Sequence, residues 1–153
     1  RPAVFLAHRG AGVDHTTAAG NIAALIEVAA ESPGTRVLNS ADPDAPSALE
    51  IARTIARQLD HTWDEVLLED APADGVGRTP WDAPHPIVLD TTAALELGYE
   101  PAGDYAATVA DEVDWLVSAA RGGLDAELLP PPDDEYFGPL LDYEAEDRRL
   151  ARS

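Results

Sequence analysis

The sequence predicts an α/β protein with a few short strands, three to four helices and an acidic C-terminal tail. Short apolar runs of strand length alternate with longer segments in which apolar residues recur at positions i, i+3, i+4 and i+7. Clusters of glycine and proline separate these segments. The chain has 153 residues, the length of about one domain.

Four apolar runs are short enough to be strands. They cover residues 3–7, 36–39, 65–68 and 87–89. The first run is followed by Gly10 and Gly12, which predict a turn. A third glycine at the offset that dinucleotide binding requires is absent, so this turn is not a dinucleotide fingerprint.

A helix is predicted after Asp14 or Thr16, where either side chain can cap its first turn, and Pro33-Gly34 ends it. Its apolar residues fall on one face of the helix: Ile22, Leu25, Ile26 and Ala29.

The second predicted helix begins at Ser47 and runs to about Leu59. Ser47 and Glu50 form a capping box, in which each side chain accepts a hydrogen bond from a free backbone N–H group. The predicted buried stripe of this helix consists of Ala52, Ile55, Ala56 and Leu59.

Two more helices follow. Asp90 or Thr91 caps a short one that ends at Gly98, and Asp104 caps a longer one that ends at Gly122. The longer helix has one apolar face, made of Tyr105, Val109, Val113, Leu116 and Ala120.

The tail begins near residue 122 and is rich in acids and proline, which predicts partial order at most. Its apolar residues are expected to dock on a partner surface, and a short helix ends at Leu150. These apolar residues are Phe137, Leu140, Leu141 and Tyr143.

Composition excludes several function classes. With 29 acidic and 10 basic residues the net charge is −19, which repels phosphate backbones and anionic lipids. We therefore expect no nucleic-acid and no membrane partner. The chain has no Cys, which is typical of a cytoplasmic protein. All ten basic residues are Arg, so no Lys is present for Schiff-base or Tyr-Lys chemistry.

Metal-binding patterns are absent from the sequence. The four His residues lack metal-ligand spacing. Asp42-Pro43-Asp44 lacks the glycine and glutamate of a calcium loop, and is interpreted as a helix-capping loop. His15 is interpreted as a capping residue and His61 as a residue that follows a helix end.

The best local candidate for a binding site is the long loop over residues 70–86. It contains Arg78, Trp81 and His85 in a segment that proline stiffens. Arg78 can fork onto an anionic group, Trp81 can stack on a ligand, and His85 can donate a hydrogen bond. The alternative is a packed loop with Trp81 as its anchor.

Three segments carry a resemblance to a known family. Residues 12–19 (G-V-D-H-T-T-A-A) resemble the family's H-V-D-D-V-A segment. Residues 36–59, predicted as a strand, a loop and a capped helix, resemble its strand-loop-helix segment. Residues 88–101 (V-L-D-T-T-A-A-L-E-L-G-Y-E-P) resemble a D-(S/T)-x-x-A-x-x-x-L-G-(W/Y)-x-P segment. In this order they are similar to the NAD-dependent epimerase/dehydratases, the extended short-chain dehydrogenase/reductase family.

The resemblance implies that the chain is the C-terminal portion of a Rossmann-type enzyme. The family's glycine-rich turn and its Tyr-x-x-x-Lys pair have no counterpart here, so no catalytic and no cofactor-binding residue is assigned. NAD or NADP would bind the full-length parent and not this chain alone. Arg78 stands where family members often have an arginine that contacts the substrate's phosphate or sugar.

The resemblance also implies a division of the chain. Residues 1–40 would be the last strand-helix-strand part of a truncated Rossmann sheet, residues 41–121 a small substrate-binding domain, and residues 122–153 the tail. Because the chain starts at Arg1 and contains no Met, we expect it to be a piece of a longer protein.

Two other functions remain open. The chain is alternatively a non-catalytic acidic interaction module that reuses this half-fold, and it would self-associate through the face that the missing half leaves exposed. A weaker alternative is a hydrolase that uses His85 with Asp82 or Asp90, although no nucleophile is identifiable.

Overall fold

The computed structural model describes residues 1–71, 75–82, 85–123, 126–131 and 134–151. The strands are β1 (Ala3–Leu6) and β2 (Asp64–Leu67). The α-helices are α1 (Ala19–Glu31), α2 (Ala48–Gln58), α3 (Thr92–Glu96), α4 (Tyr105–Thr108), α5 (Ala110–Ala120) and α6 (Tyr143–Leu150). Short 3-10 segments cover Ala126–Leu128 and Gly138–Leu141, and a turn that contains left-handed residues covers Ala7–Gly10. The chain is therefore a mixed α/β protein, which confirms the predicted class.

The two strands pair in parallel, with Ala3 opposite Asp64 and Leu6 opposite Leu67. A parallel pair needs a long crossover connection, and α1 and α2 lie in that connection. The apolar runs at 3–7 and 65–68 correctly predicted these strands to within one residue. Parallel pairing brings the carboxyl ends of both strands to one edge of the sheet.

The predicted strand at 36–39 is wrong. In the part of the chain that the structure describes, these residues form no ladder, and Val37 is 93% exposed. The predicted strand at 87–89 is reduced to a single parallel bridge between Ile87 and Asp14. Without a neighbouring strand to pair with, both runs remain outside the sheet.

Helix α1 forms where its periodicity predicts, but its cap comes from elsewhere in the chain. Neither Asp14 nor Thr16 caps it; Asp42 accepts the Ala18 backbone N–H at 2.7 Å. The buried face also differs from the prediction, since Asn21 and Leu25 are buried. Two residues of the predicted apolar face, Ile22 and Ile26, are 39% and 62% exposed.

Helix α2 begins with the predicted capping box. Ser47 N donates to Glu50 Oε2 at 2.8 Å, and Glu50 N donates to Ser47 Oγ at 3.4 Å. The buried residues lie nearer the start of the helix than predicted, and Leu59, which the prediction placed in the buried stripe, is exposed. The buried residues are Ala48, Ile51 and Ala52, and two of these, Ala48 and Ala52, pack on Leu6 of β1.

We expect Ser47→Ala to lower the free energy of unfolding by about 1 kcal/mol, since an N-cap hydroxyl has that typical value. The bonds from Ser47 lower the pKa of Glu50 below its usual 4.5. A depressed carboxyl pKa stabilises the fold above the unfolded-state pKa, and the contribution is lost as pH falls through the folded-state pKa. Urea unfolding of both proteins at pH 7 and pH 3 should therefore show a smaller difference at pH 3. Ser32→Ala, at the end of α1, is the matched control and should change little.

The later helices follow their predicted caps. Asp90 Oδ1 accepts the Thr92 N–H at 2.9 Å at the start of α3, and Asp104 Oδ1 accepts the Ala107 N–H at 2.8 Å at the start of α4. The single long helix predicted after Asp104 is divided at Val109 into α4 and α5. On α5, Val113 and Ala119 are buried, whereas Leu116 from the predicted apolar face is exposed.

Helix α6, in the acidic tail, packs against the beginning of the chain. Ala145 is buried in one cluster with Ala3, Phe5 and Val76. The Arg1 guanidinium lies 4.6 Å from the centre of the Tyr143 ring and forms ion pairs with α6 carboxylates. These carboxylates belong to Glu146, at 3.3 Å from Arg1 Nε, and to Asp147. This part of the tail therefore belongs to the packed core.

Within the described ranges, none of the helices combines the length and the apolar character that crossing a membrane requires.

Candidate functional site

The backbone leaves β1 in an unusual conformation at the carboxyl edge of the sheet. Three consecutive residues have positive φ: His8 at 49°, Arg9 at 56° and Gly10 at 71°. For a residue with a side chain this left-handed region costs about 1–2 kcal/mol, and such strain clusters at functional sites. In parallel α/β sheets, ligands bind beyond the carboxyl ends of the strands. A ligand site is therefore expected at this edge.

Backbone hydrogen bonds hold the strained segment in place. Ala7 N donates to Gly77 O at 2.8 Å, and Arg9 N donates to Leu68 O at 2.7 Å. The first bond ties the segment to the loop that contains Arg78 and Trp81. Gly77 has φ +80°, and a Cβ there would lie 2.9 Å from Ala7 N, so only glycine permits this close approach.

The His8 side chain faces a carboxylate from the same loop. His8 Nε2 lies 3.5 Å from Asp82 Oδ1; the His8 side chain is 40% exposed and that of Asp82 is 12% exposed. Beside them, Arg9 Nη1 pairs with Glu69 Oε1 at 2.6 Å. A carboxylate beside an imidazole orients the ring, so His8 can form a hydrogen bond to a ligand through its other ring nitrogen. We call His8, Asp82, Arg78 and Trp81 the carboxyl-edge site.

The three predicted site residues have different surroundings. Trp81 is half-buried and packs on the cluster of Leu6, Ala48 and Ala52, so it anchors the loop. Arg78 is exposed, and within the described ranges its guanidinium forms no ion pair. His85 is exposed, and residues 83 and 84, before it, lie outside the described residues. No hydrogen bond among the described residues joins the three side chains to one another.

Sequence reasoning missed His8, because it has no metal-ligand spacing and no nucleophile nearby in the chain. One local signal was present: a histidine and an arginine stand directly after a buried strand and before Gly10. Its partner Asp82 comes from more than seventy residues away. A pairing of that kind depends on the tertiary fold and leaves no local pattern.

A second polar feature surrounds the buried Asp42. Its Oδ2 accepts the Thr16 hydroxyl at 2.6 Å, and its Oδ1 accepts the Ala18 N–H and the Asn21 Nδ2 group, both at 2.7 Å. Asn21 is fully buried and continues the network by accepting the Ala102 N–H at 2.7 Å. Because each carboxylate oxygen already accepts hydrogen bonds, Asp42 serves as a structural centre.

His15 extends this network on the opposite side. Leu89 N donates to His15 Nδ1 at 3.0 Å, which leaves Nε2 to carry the proton and donate to Asp42 O at 2.9 Å. The neutral imidazole thus joins the loop at Asp42 to the segment at residues 87–89. The prediction that His15 caps a helix is wrong, because its two ring nitrogens bridge two distant parts of the backbone.

An open cavity of about 630 Å³ lies beside Asp42, between the start of α1 and helices α4 and α5. Hydroxyl groups of Thr17, Tyr105 and Thr108 and carboxylates of Asp111 and Glu112 line it. Burial raises the pKa of Tyr105, and the Asp42 carboxylate raises it further, so its phenol stays protonated as a donor. This lining suits hydroxyl or amine groups and disfavours anions.

The turn after β1 leaves no space for a phosphate at Gly10 and Gly12. The one glycine-rich turn after a strand is filled by the chain itself, since a Cβ on Gly12 would lie 2.3 Å from Trp81 O and one on Gly10 would lie 2.8 Å from Leu49 Cβ. A phosphate cradle requires open space at those positions. Among the described residues no group of three or more His, Asp or Glu side chains is arranged to hold a metal ion.

Comparison with protein-family models and with curated protein sequences finds no match.

Proposed function

We propose that this chain is the C-terminal substrate-binding part of an NAD(P)-dependent epimerase/dehydratase or reductase. Its substrate would be a sugar or another molecule with carbonyl and hydroxyl groups. The nucleotide-binding and catalytic half would lie outside these 153 residues. That half would supply hydride transfer, and this chain would bind and orient the substrate.

The position of the loop over residues 75–82 carries the proposal. The sequence predicted a substrate loop there, and the loop lies against the carboxyl edge of a parallel pair, bonded to Ala7 through Gly77 O at 2.8 Å. That edge is where α/β folds place ligands. Arg78 is exposed beside it and would fork onto an anionic or hydroxyl group of the substrate. His8, held by Asp82, would form a hydrogen bond to a neighbouring oxygen.

The width of the sheet is also consistent with the proposal. Parallel strands are ordinarily buried within wider sheets that are covered on both faces. Here β1 and β2 form a two-stranded sheet. Elsewhere in the chain, the apolar residues Ile87, Val88 and Leu89 are 49%, 59% and 38% exposed. A nucleotide-binding half would extend such a sheet and cover apolar residues of this kind.

A titration with hexose phosphates tests the proposal. Glucose 1-phosphate added to the chain should shift the Trp81 indole signal in NMR spectra saturably, because Trp81 lies in the carboxyl-edge site. Arg78→Ala should weaken binding at least tenfold, since a charge-assisted bond contributes about 1.5–3 kcal/mol. Arg121→Ala, on another exposed arginine, should leave affinity unchanged. NADH should cause no shift.

Two results would contradict this assignment. Equal affinity of wild type and Arg78→Ala would remove Arg78 from the site. Absence of any saturable shift, together with concentration-dependent self-association in light scattering, would favour the alternative, an acidic interaction module. In that alternative the chain would self-associate through exposed apolar side chains, among them Ile26, Val37 and Leu95.

One residue pair of the hydrolase alternative differs from the structure. Asp82 pairs with His8 at 3.5 Å, whereas the sequence hypothesis paired it with His85. No serine or threonine is bonded to this pair among the described residues.

A further inference from the structure

Arg57, on α2, is an exposed arginine without a carboxylate partner in the part of the chain that the structure describes. Its Nη2 donates to Thr54 Oγ1 at 2.8 Å. The neighbouring Arg53 is paired in a fork with Glu65, at 2.7 Å from Nε to Oε1 and 2.7 Å from Nη2 to Oε2. In a chain with net charge −19, an unpaired guanidinium next to a cavity is a candidate anion site.

The cavity beside Arg57 has a volume of about 210 Å³. We call it the Trp63 cavity, and its lining includes Val4, Ala52, Ala56, Arg57, His61 and Trp63. It lies at the amino end of β2, because Trp63 directly precedes that strand. Strands of four residues separate it from the carboxyl-edge site by roughly 13 Å, so the two sites are distinct.

The aromatic wall of this cavity is held in place. Trp63 is half-buried and packs on the cluster of Leu6, Ala48 and Ala52. His61 meets the Trp63 ring edge-on, with ring centres 5.4 Å apart and planes at 72°. The His61 Nε2–H donates to Arg1 O at 3.0 Å, which fixes the imidazole. A ligand therefore meets a preformed surface and does not have to order these side chains.

The charge balance favours an anion here and not in the adjoining cavity. On the rim of the Trp63 cavity, Glu65 is neutralised by its fork with Arg53, which leaves Arg57 as the uncompensated charge. The adjoining cavity of about 450 Å³ shares both arginines but also contains Asp44 and Glu50. Those two carboxylates oppose an anion there.

We propose that the Trp63 cavity binds a small monocarboxylate with one flat apolar group. The planar guanidinium of Arg57 matches a carboxylate in a two-bond fork. The flat group would lie against the part of the Trp63 ring that faces the cavity, beside the apolar side chains of Val4 and Ala56. A volume of 210 Å³ equals that of about seven water molecules, which admits one ring but excludes a nucleotide.

Titration of the intact chain with sodium phenylacetate tests this site. The Trp63 indole N–H and the Arg57 Nε–H signals should shift together and saturate, with a Kd of about 1 mM for so small a ligand. Trp63→Phe assigns the indole signal. The Trp81 signal, at the other edge of the sheet, should not move, which keeps this test separate from the hexose phosphate titration.

Matched variants and a neutral probe decide the outcome. Arg57→Gln should weaken phenylacetate binding at least tenfold, and because Arg57 is exposed the variant should fold as wild type does. Arg36→Gln, elsewhere on the surface, should have no effect. Phenylacetamide, which lacks the charge, should bind at least tenfold more weakly. Equal affinity for the two probes, equal affinity of Arg57→Gln, or no saturable shift at Trp63 would each overturn the proposal.

Discussion

Replacing Asp42 by alanine is expected to lower the free energy of unfolding by about 3–5 kcal/mol, because the change leaves one buried and two partly buried donors without their acceptor. Those donors are the Thr16 hydroxyl, the Ala18 N–H and the Asn21 amide, at 2.6, 2.7 and 2.7 Å from the carboxylate. The total free energy of unfolding of a domain of this size is only about 5–15 kcal/mol. Urea unfolding followed by circular dichroism measures the loss.

Two further variants show whether the network is the cause. Asp42→Asn keeps an acceptor for the Ala18 N–H and an amide that can bond the Thr16 hydroxyl. It should therefore lower the free energy of unfolding much less than Asp42→Ala does. Asp114→Ala, an exposed acid on α5, is the matched control and should change stability by less than about 0.5 kcal/mol. If Asp42→Ala unfolds like the control, the network does not hold α1 in place.

The second large effect is expected from Gly12→Ala. A Cβ at Gly12 would lie 2.3 Å from Trp81 O and 3.2 Å from Asp82 Cα, and both are backbone atoms that no rotamer change can move aside. The loop would have to leave the carboxyl edge, which we expect to cost about 2–3 kcal/mol of stability. Trp81 would become more exposed, so its fluorescence emission should shift to longer wavelength.

Replacement of a glycine in α1, Gly20, is expected to raise stability and not to lower it. A Cβ at Gly20 meets only Ala102 Cβ, at an ordinary 3.6 Å. Because Gly20 lies inside α1, Gly20→Ala should raise stability by about 0.5 kcal/mol through reduced backbone entropy of the unfolded chain. Equal stability changes for Gly12→Ala and Gly20→Ala would contradict the close packing of the Trp81 loop on the turn.

Local chemistry predicted those elements whose determinants lie close together in the sequence. Ser47 and Glu50 are three residues apart, and both bonds of their capping box form. Asp104 likewise caps the turn that it begins. Apolar runs identified β1 and β2 because each run has a neighbouring strand with which to pair. In these cases the physical cause is contained within one short segment.

Determinants from distant segments could not be predicted in this way. Asp42 caps α1 from more than twenty residues away, so the local candidates Asp14 and Thr16 were wrong. The pattern of α1 placed Ile22 and Ile26 inside, but the buried Asn21 network rotates that face toward solvent. A polar residue at a buried position has no apolar signature, because its hydrogen-bond partners decide whether burial is favourable.

The candidate site shows the same limit. The proline-rich loop indicated Arg78 and Trp81, and the structure places that loop at the carboxyl edge of the sheet. His8 entered only through the fold, because parallel pairing of β1 with β2 and the positive φ values after β1 bring it to Asp82. Residue type and spacing indicated the loop, while strand topology supplied the residue opposite it.

We propose that these residues are the substrate-binding part of a larger NAD(P)-dependent enzyme. Sequencing the native transcript upstream of the Arg1 codon tests it most directly. We expect a continuous upstream reading frame that encodes a strand followed by G-x-x-G-x-x-G and, further on, Tyr-x-x-x-Lys. An in-frame stop codon followed by a Met codon directly before Arg1 would contradict it.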